Sequence, residues 1–415
     1  MAAVFLAPLA LRPVPAQAQT EAPIYSFKGG QDGDTPEEAL LFDGGSLFGT
    51  TFHGGGGLGT VFQLTRPAKG EKQWIKTVLH SFAGEHAGDG GPSFSPVVAD
   101  KAGNLYGATV ENGNGVCCGL IYKLTRPAKG ETVWTETLLY DFSGNDGNWP
   151  SGGLAIDSAG ALYGATKFGG AGGFGTVFKL TPPAPGQTHW TETTLYTFLG
   201  GSDGSTPNGD LLLDNSGVLI GTTYDGGVYG LGTAFVLTPV AGQTSWDKTT
   251  IHHFQGVVTD TNDGANPNGG LVGGVGDIMG TTQIGGAAGP CCGMVFELRQ
   301  LFFPDPAYFL IVHHTFTGGQ DGAYAMAGLM QDAAGTIWGT TTEGGLGIVG
   351  TVFRLTPDPV QSHVWDYGVA YDFKGGPNDG AAPQSLLTMD KAGHLYGTTS
   401  GGGTFGFGTA YKLIP

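Results

Sequence analysis

Along this chain apolar and polar positions alternate over short runs, and the runs come in fours. Between residues 146 and 198 they are PSGGLAID (150–157), ALYGAT (161–166), GTVFKLT (175–181) and WTETTLYTF (190–198). Each is rich in β-branched and aromatic residues and is bounded by Gly, Pro or Asp, the pattern of half-buried strands separated by turns. No stretch sustains a helical period, so almost no helix is expected. The second run recurs seven times, as LFGTT at 47, LYGAT at 105, LYGAT at 162, LIGTT at 219, IMGTT at 278, IWGTT at 337 and LYGTT at 395. Successive starts lie 57 to 59 residues apart, and such even spacing marks a repeat architecture.

A four-stranded antiparallel meander repeated seven times, with no helices to cover it, must bury the faces of each sheet against its neighbours. Closure into a ring achieves this, and the expected fold is an all-β, seven-bladed β-propeller. Small residues early in the first run (Ser95, Gly152, Gly209, Gly269, Ala327, Ser385) suit the crowded innermost strand. Trp74, Trp134, Trp190, Trp246 and Trp365 open the fourth run and read as packing anchors between blades. IYSF at 24–27 matches the end of a fourth run, and GTAYKLIP at 408–415 matches a third. The last blade should therefore combine residues 383–414 with 24–27, and residues 21–415 should form one domain.

Glycine supplies 78 of 415 residues, far above a usual share of roughly 7%. Because the glycines recur at fixed places in each copy, they read as turns and close approaches and not as a flexible linker. With 18 Lys and Arg against 35 Asp and Glu, the formal charge is −17, the wrong sign for a phosphate-binding surface, so nucleic acid is not an expected partner. Residues 1–20 join an apolar run to Ala16-Gln17-Ala18, which fits a signal peptide and export, although a basic start is missing. No later stretch approaches the roughly 18 apolar residues of a membrane span, and a monomer is expected.

Two Asp series recur. Asp32, Asp89, Asp146, Asp203, Asp263, Asp321 and Asp379 each precede a Gly before the first run. Eleven residues later stand Asp43, Asp100, Asp157, Asp214, Asp332 and Asp390, with Gly274 in the remaining copy. A feature present in every blade reads as a turn device, since Asp bonds locally to backbone in turns. A divalent cation such as calcium, held by carboxylate and carbonyl oxygens, is the alternative use.

The run LYGTT followed by paired glycines and GTVFKLTP, with an Asp-led turn before it, resembles the GloVer-type tandem repeat of exported bacterial proteins. GTVFQLT at 59, GTVFKLT at 175 and GTVFRLT at 350 lie close to its core, whereas CCGLIYKLT at 117 and CCGMVFELR at 291 depart from it. The resemblance covers the mature chain. It implies an exported repeat protein, in some members with an added surface anchor, and no common activity; a secreted or periplasmic form is expected here.

If the strands run up and down, the loops between second and third strands share a face with the loops that enter each blade, and binding residues favour such loops. The dipeptide after each TT or AT keeps its place while changing its chemistry: Phe52-His53, Val110-Glu111, Lys167-Phe168, Tyr224-Asp225, Gln283-Ile284, Thr342-Glu343 and Ser400-Gly401. His53, Glu111, Tyr224, Asp225 and Glu343 are the candidates for acid–base or metal chemistry at the channel mouth; Lys167 and Gln283 are candidates for ligand binding. Free drift of exposed loop tips explains the same variation without function. Trp149, in the entry loop DGNWP, has no Trp counterpart in the other copies and offers a stacking surface.

Cys117-Cys118 and Cys291-Cys292 occupy equivalent loops. A disulfide wants Cα atoms about 4.4 to 6.8 Å apart, and loops three blades apart cannot meet that, so in an exported protein each adjacent pair should close on itself. Such a ring could serve as an apolar platform for a sugar, a redox-labile switch or a loop stiffener. A carbohydrate or cell-wall glycan bound at the channel mouth is the leading functional expectation. A glycan-processing enzyme such as a polysaccharide lyase, and an interaction scaffold, are the alternatives, since propellers host unrelated functions.

Overall fold

A computed structural model describes residues 20–68, 74–84, 89–111, 118–243, 245–258, 261–286, 291–300, 307–361 and 364–415. Seven mostly antiparallel sheets follow one another along the chain, with a small two-stranded ladder of Val257–Val258 and Thr261–Asn262 beside them, and the described helices are the three-residue 3₁₀ turns Gly30–Asp32 and Gly201–Asp203. Blade 3 shows the plan: Asn148–Ile156, Leu162–Phe168, Thr176–Thr181 and Thr191–Thr197 pair in that order, innermost to outermost. The strand Thr20–Ser26 pairs with Thr409–Ile414, setting Pro23 opposite Tyr411 and Tyr25 opposite Ala410. The first described strand thus completes the last blade, as expected, and starts a few residues earlier than the sequence suggested. The leader assigned to residues 1–20 lies outside the described residues apart from Thr20.

Each part of the repeated motif has a packing reason. A buried Phe at the end of every fourth strand meets an aromatic ring of the next blade's third strand edge to face. Phe142 and Phe178 do so at 5.1 Å, Phe198 and Phe235 at 5.3 Å, and Phe27 and Phe62 at 5.2 Å across the closure. The invariant glycine of the second strand makes room for that third-strand ring. A Cβ on Gly164 would stand 2.6 Å from Phe178 Cζ, and one on Gly49 would stand 2.7 Å from Phe62 Cζ.

The two threonines that follow divide the remaining work. In Thr50, Thr281, Thr340 and Thr398 the first hydroxyl donates to an inner-strand carbonyl of the next blade; Thr398 to Glu38 O, at 3.1 Å, crosses the closure. The second shares a hydrogen bond with the Thr that opens the third strand, as in Thr166 with Thr176 at 2.9 Å. Blades 2 and 5 place Leu120 and Met294 at that opening position, where the motif carries its Cys pairs.

The five expected Trp anchors do lie between blades: Trp134 packs on Phe48, Trp190 on Tyr106 and Trp246 on Tyr163 of the preceding sheet. The first Asp series accepts backbone N–H groups of its own turn and the Tyr or His of the adjoining fourth strand. Asp203, for example, takes Leu199 N at 2.8 Å and the Tyr196 hydroxyl at 2.7 Å. The second series caps hairpins, Asp157 accepting from Ala159 and Ala161. Asp43 departs, because its hairpin turns on Gly44-Gly45 at φ 58° and 85°, and it pairs with Arg126 at 3.1 Å instead.

Candidate functional site

The inner strands leave an axial channel that widens at one end into a cavity of about 500 Å³, within the range that holds a small ligand. Its floor is built by the innermost residues. Gly152, Gly209 and Gly269 stand where a Cβ would meet the next blade's backbone at 2.3 to 3.0 Å, so the ring is tight there. At its rim stand side chains from the dipeptide after the second strand: Lys167, Phe168, Tyr224, Asp225 and Gln283 all line the cavity. The Tyr224 hydroxyl donates to Gln283 Oε1 at 2.7 Å, joining blades 4 and 5 across the rim. Burial and the neighbouring Asp225 raise the Tyr224 pKa, so its hydroxyl stays protonated.

His53, Glu111 and Glu343 do not join them. These three are exposed and do not line the cavity, although Phe168 and Asp225, at the same second position of the dipeptide, do. Their backbones are fixed by bridges to the entry loops, His53 with Asp34, Glu111 with Gly91 and Glu343 with Ala323. The catalytic constellation expected of His53, Glu111, Tyr224, Asp225 and Glu343 is therefore not assembled around one point.

Trp149 does not itself line the cavity but lies against Phe94, Phe168 and Lys167, which do, and its backbone is unusual. Its φ is 63°, and Thr35, Thr206, Asn266, Tyr324 and Ala382 share this left-handed conformation at the equivalent place in their blades. Non-glycine residues rarely adopt it. In each case the N–H donates to a carbonyl in the second-to-third-strand loop of the preceding blade, Trp149 to Cys118 O at 3.0 Å and Tyr324 to Cys292 O at 2.9 Å. Trp149 then continues a row of rings, with Phe52 to Phe94 at 4.2 Å, Phe94 to Trp149 at 6.3 Å and Trp149 to Phe168 at 6.0 Å. The Lys167 ammonium lies 5.9 Å from the Trp149 ring centroid, a cation–π distance.

Cys291 and Cys292 form the adjacent-residue disulfide. Cys292 is buried among Phe316, Ala323 and Ala325, and neither sulfur lines the cavity. Cys118 is buried and disulfide-bonded; Cys117 lies outside the described residues. Both loops supply the carbonyl that anchors the next blade's entry, which fits the stiffener role better than the platform.

The site also contains carboxylates that the sequence reading missed. Glu38, from the inner strand of blade 1, and Asp210, from that of blade 4, line the cavity with Glu37. Asp210 Oδ1 accepts from Gly153 N. Crowding by the ring pushes Glu38 up to about 8, with the charges of Asp210 and Glu37 adding and Lys167 opposing. Burial likewise raises Asp210 and Glu37. A signal was present: Glu38 replaces a Ser, Gly or Ala found in the other six copies, and Asp210 replaces a Gly or apolar residue.

Away from the channel, His80, Asp89 and Glu136 bring their donor atoms within 4.8 Å of one another between blades 1 and 2, the donor set that a metal ion would use among the described residues. Desolvation lowers His80 and raises Glu136 to about 7. Among the described residues no helix is long and apolar enough to cross a membrane.

A family model described as the Gloeobacter/Verrucomicrobia repeat matches residues 117–301 and 214–415. No curated protein matches the chain in sequence. Among solved structures the chain is similar to a protein of unknown function from Dyadobacter fermentans, at 10% identity over 97% of this chain and 99% of that one, with a TM-score of 0.46. It is also similar to a hypothetical selenium-binding protein from Sulfolobus tokodaii (11% identity, 79% and 76% covered, TM-score 0.49). Trypanosoma rangeli sialidase is similar at 9% identity over 96% of this chain and 59% of the sialidase, with a TM-score of 0.44. Likeness of this degree bears on none of the chemistry.

Proposed function

The chain belongs to the Gloeobacter/Verrucomicrobia repeat family, and from that premise we propose that it is an exported binding protein that holds a carbohydrate at the mouth of its axial channel. The observation that carries this reading is the row Phe52, Phe94, Trp149 and Phe168 set beside the polar rim of Lys167, Tyr224 and Gln283. A sugar ring offers apolar C–H faces to aromatic side chains and hydroxyls to amides and phenols, and this mouth presents both. Binding is favoured over turnover because His53, Glu111 and Glu343 stand outside the cavity and the Tyr224 hydroxyl already donates to Gln283.

A glycan-array screen tests the reading with wild type, Trp149→Ala, and a His53→Ala, Glu111→Ala control altered only at the outer rim. Wild type and control should bind the same glycans, Trp149→Ala should lose them, and product analysis should find the glycans intact. Binding unchanged in Trp149→Ala would remove the proposal. Turnover abolished in the rim control would favour an enzyme.

A further inference from the structure

Seven copies of one motif face the channel, so a residue that departs from the other six at an inner-strand position is a deliberate feature of the lining. Two such departures are acidic. Glu38 fills a place held elsewhere by Ser, Gly or Ala, although this is the tightest level of the ring, and Asp210 fills one held by Ala39, Pro96, Gly153, Gly270, Gly328 and Leu386. With Glu37 and Asp225 they put four carboxylates around the cavity against the single ammonium of Lys167 among the described residues. That ammonium is itself held by the Trp149 face, so it is only partly available to offset them. Carboxylates enclosed without matching cations are costly, and a cationic ligand group would relieve the cost.

We propose that the ligand of this site carries a protonated primary amine, as a de-N-acetylated amino sugar does, received between Glu38 and Asp210 while its sugar rings run along the aromatic row. This rests on the carbohydrate reading above and adds the substrate class. The surrounding groups set a consequence. Glu38 is faced by Asp210 from blade 4, by Lys167 from blade 3 and by Glu37 on its own strand, with His53 acting on Glu37. Held up to about 8, Glu38 is mostly protonated in the free protein at neutral pH. An arriving ammonium favours the carboxylate, so binding expels a proton.

The test is calorimetric titration with three probes of equal length: a glucosamine tetramer, its N-acetylated counterpart and a glucose tetramer. Wild type should bind the amine at least tenfold more tightly than either of the others. In mildly acidic buffers of differing ionisation enthalpy it should release close to one proton. Glu38→Gln with Asp210→Asn should abolish both the preference and the release in a protein that still folds, its melting temperature no lower than that of wild type. Equal wild-type affinity for all three overturns the amine inference and leaves the carbohydrate reading standing. Failure to bind any of a wide glycan set overturns that reading too. An amine preference that survives in the double variant would trace to the overall charge of −17 and would also overturn the inference.

Discussion

Trp149 is 37% exposed while held in a left-handed backbone, so its ring serves the mouth more than the core. Trp149→Ala should cost little stability, within a few degrees of melting temperature, yet abolish carbohydrate binding; calorimetric scans beside titrations check both. Gly164 is the opposite case. Its alanine variant would press on Phe178 and Leu154, and overpacking of this kind costs about 1–3 kcal/mol, readable as a lowered denaturation midpoint with unchanged ligand specificity. For Glu38 the sign follows from linkage. A carboxyl raised to about 8 in the folded protein, against roughly 4.3 unfolded, leaves the folded state holding the extra proton between those values, so stability declines as pH rises through that window. Melting temperatures from pH 5 to about 8 should slope down less in Glu38→Gln than in wild type. These residues differ in how openly the sequence declares them. Trp149 stands out by lacking counterparts, whereas Glu38 and Asp210 show only when the copies are set side by side at the inner strand. His53, Glu111 and Glu343 misled because equal places in the repeat do not give equal access to the cavity, which Phe168 and Asp225 line from the same position.

Within a blade, the motif is a set of joints: a glycine that admits a ring, a threonine that clips the next blade and a threonine that caps the third strand. Thr176→Val should therefore remove the hydroxyl's bonds to Thr166 and to the Asp146 carbonyl and cost about 1 kcal/mol for each, a typical net hydrogen-bond value. Blades 2 and 5 place Leu120 and Met294 there instead, and their Cys118 and Cys292 carbonyls still accept from the next blade's entry residue. A peptide spanning Cys291 and Cys292, released without reductant, should be lighter by two hydrogens than after reduction and should resist alkylation. The strands were legible because alternation and punctuation by Gly, Pro and Asp are local signals. The joints were not, since each depends on a partner on another strand, and the threonine clip on one in the next blade.

At the scale of the molecule, ring closure turns seven variable loops into one site. The strand Thr20–Ser26 carries Ile24, and the residue after it is Phe27, both in the core shared by the last and first blades. Burying such side chains is worth about 1.5–3 kcal/mol each, against a net domain stability of about 5–15 kcal/mol. A chain lacking residues 20–27 should melt far below the full-length protein when followed by circular dichroism, and an unchanged transition would speak against closure. The repeat length and the matching ends made this architecture readable from the sequence, whereas the contents of the channel depend on which inner residues end up facing one another across it. A crystal structure of the full-length protein soaked with a glucosamine tetramer addresses the whole account at once. The account predicts sugar density along Phe94, Trp149 and Phe168 with an amine nitrogen between Glu38 and Asp210; sugar bound on the outer blade surfaces, with the channel mouth filled only by solvent, would contradict it.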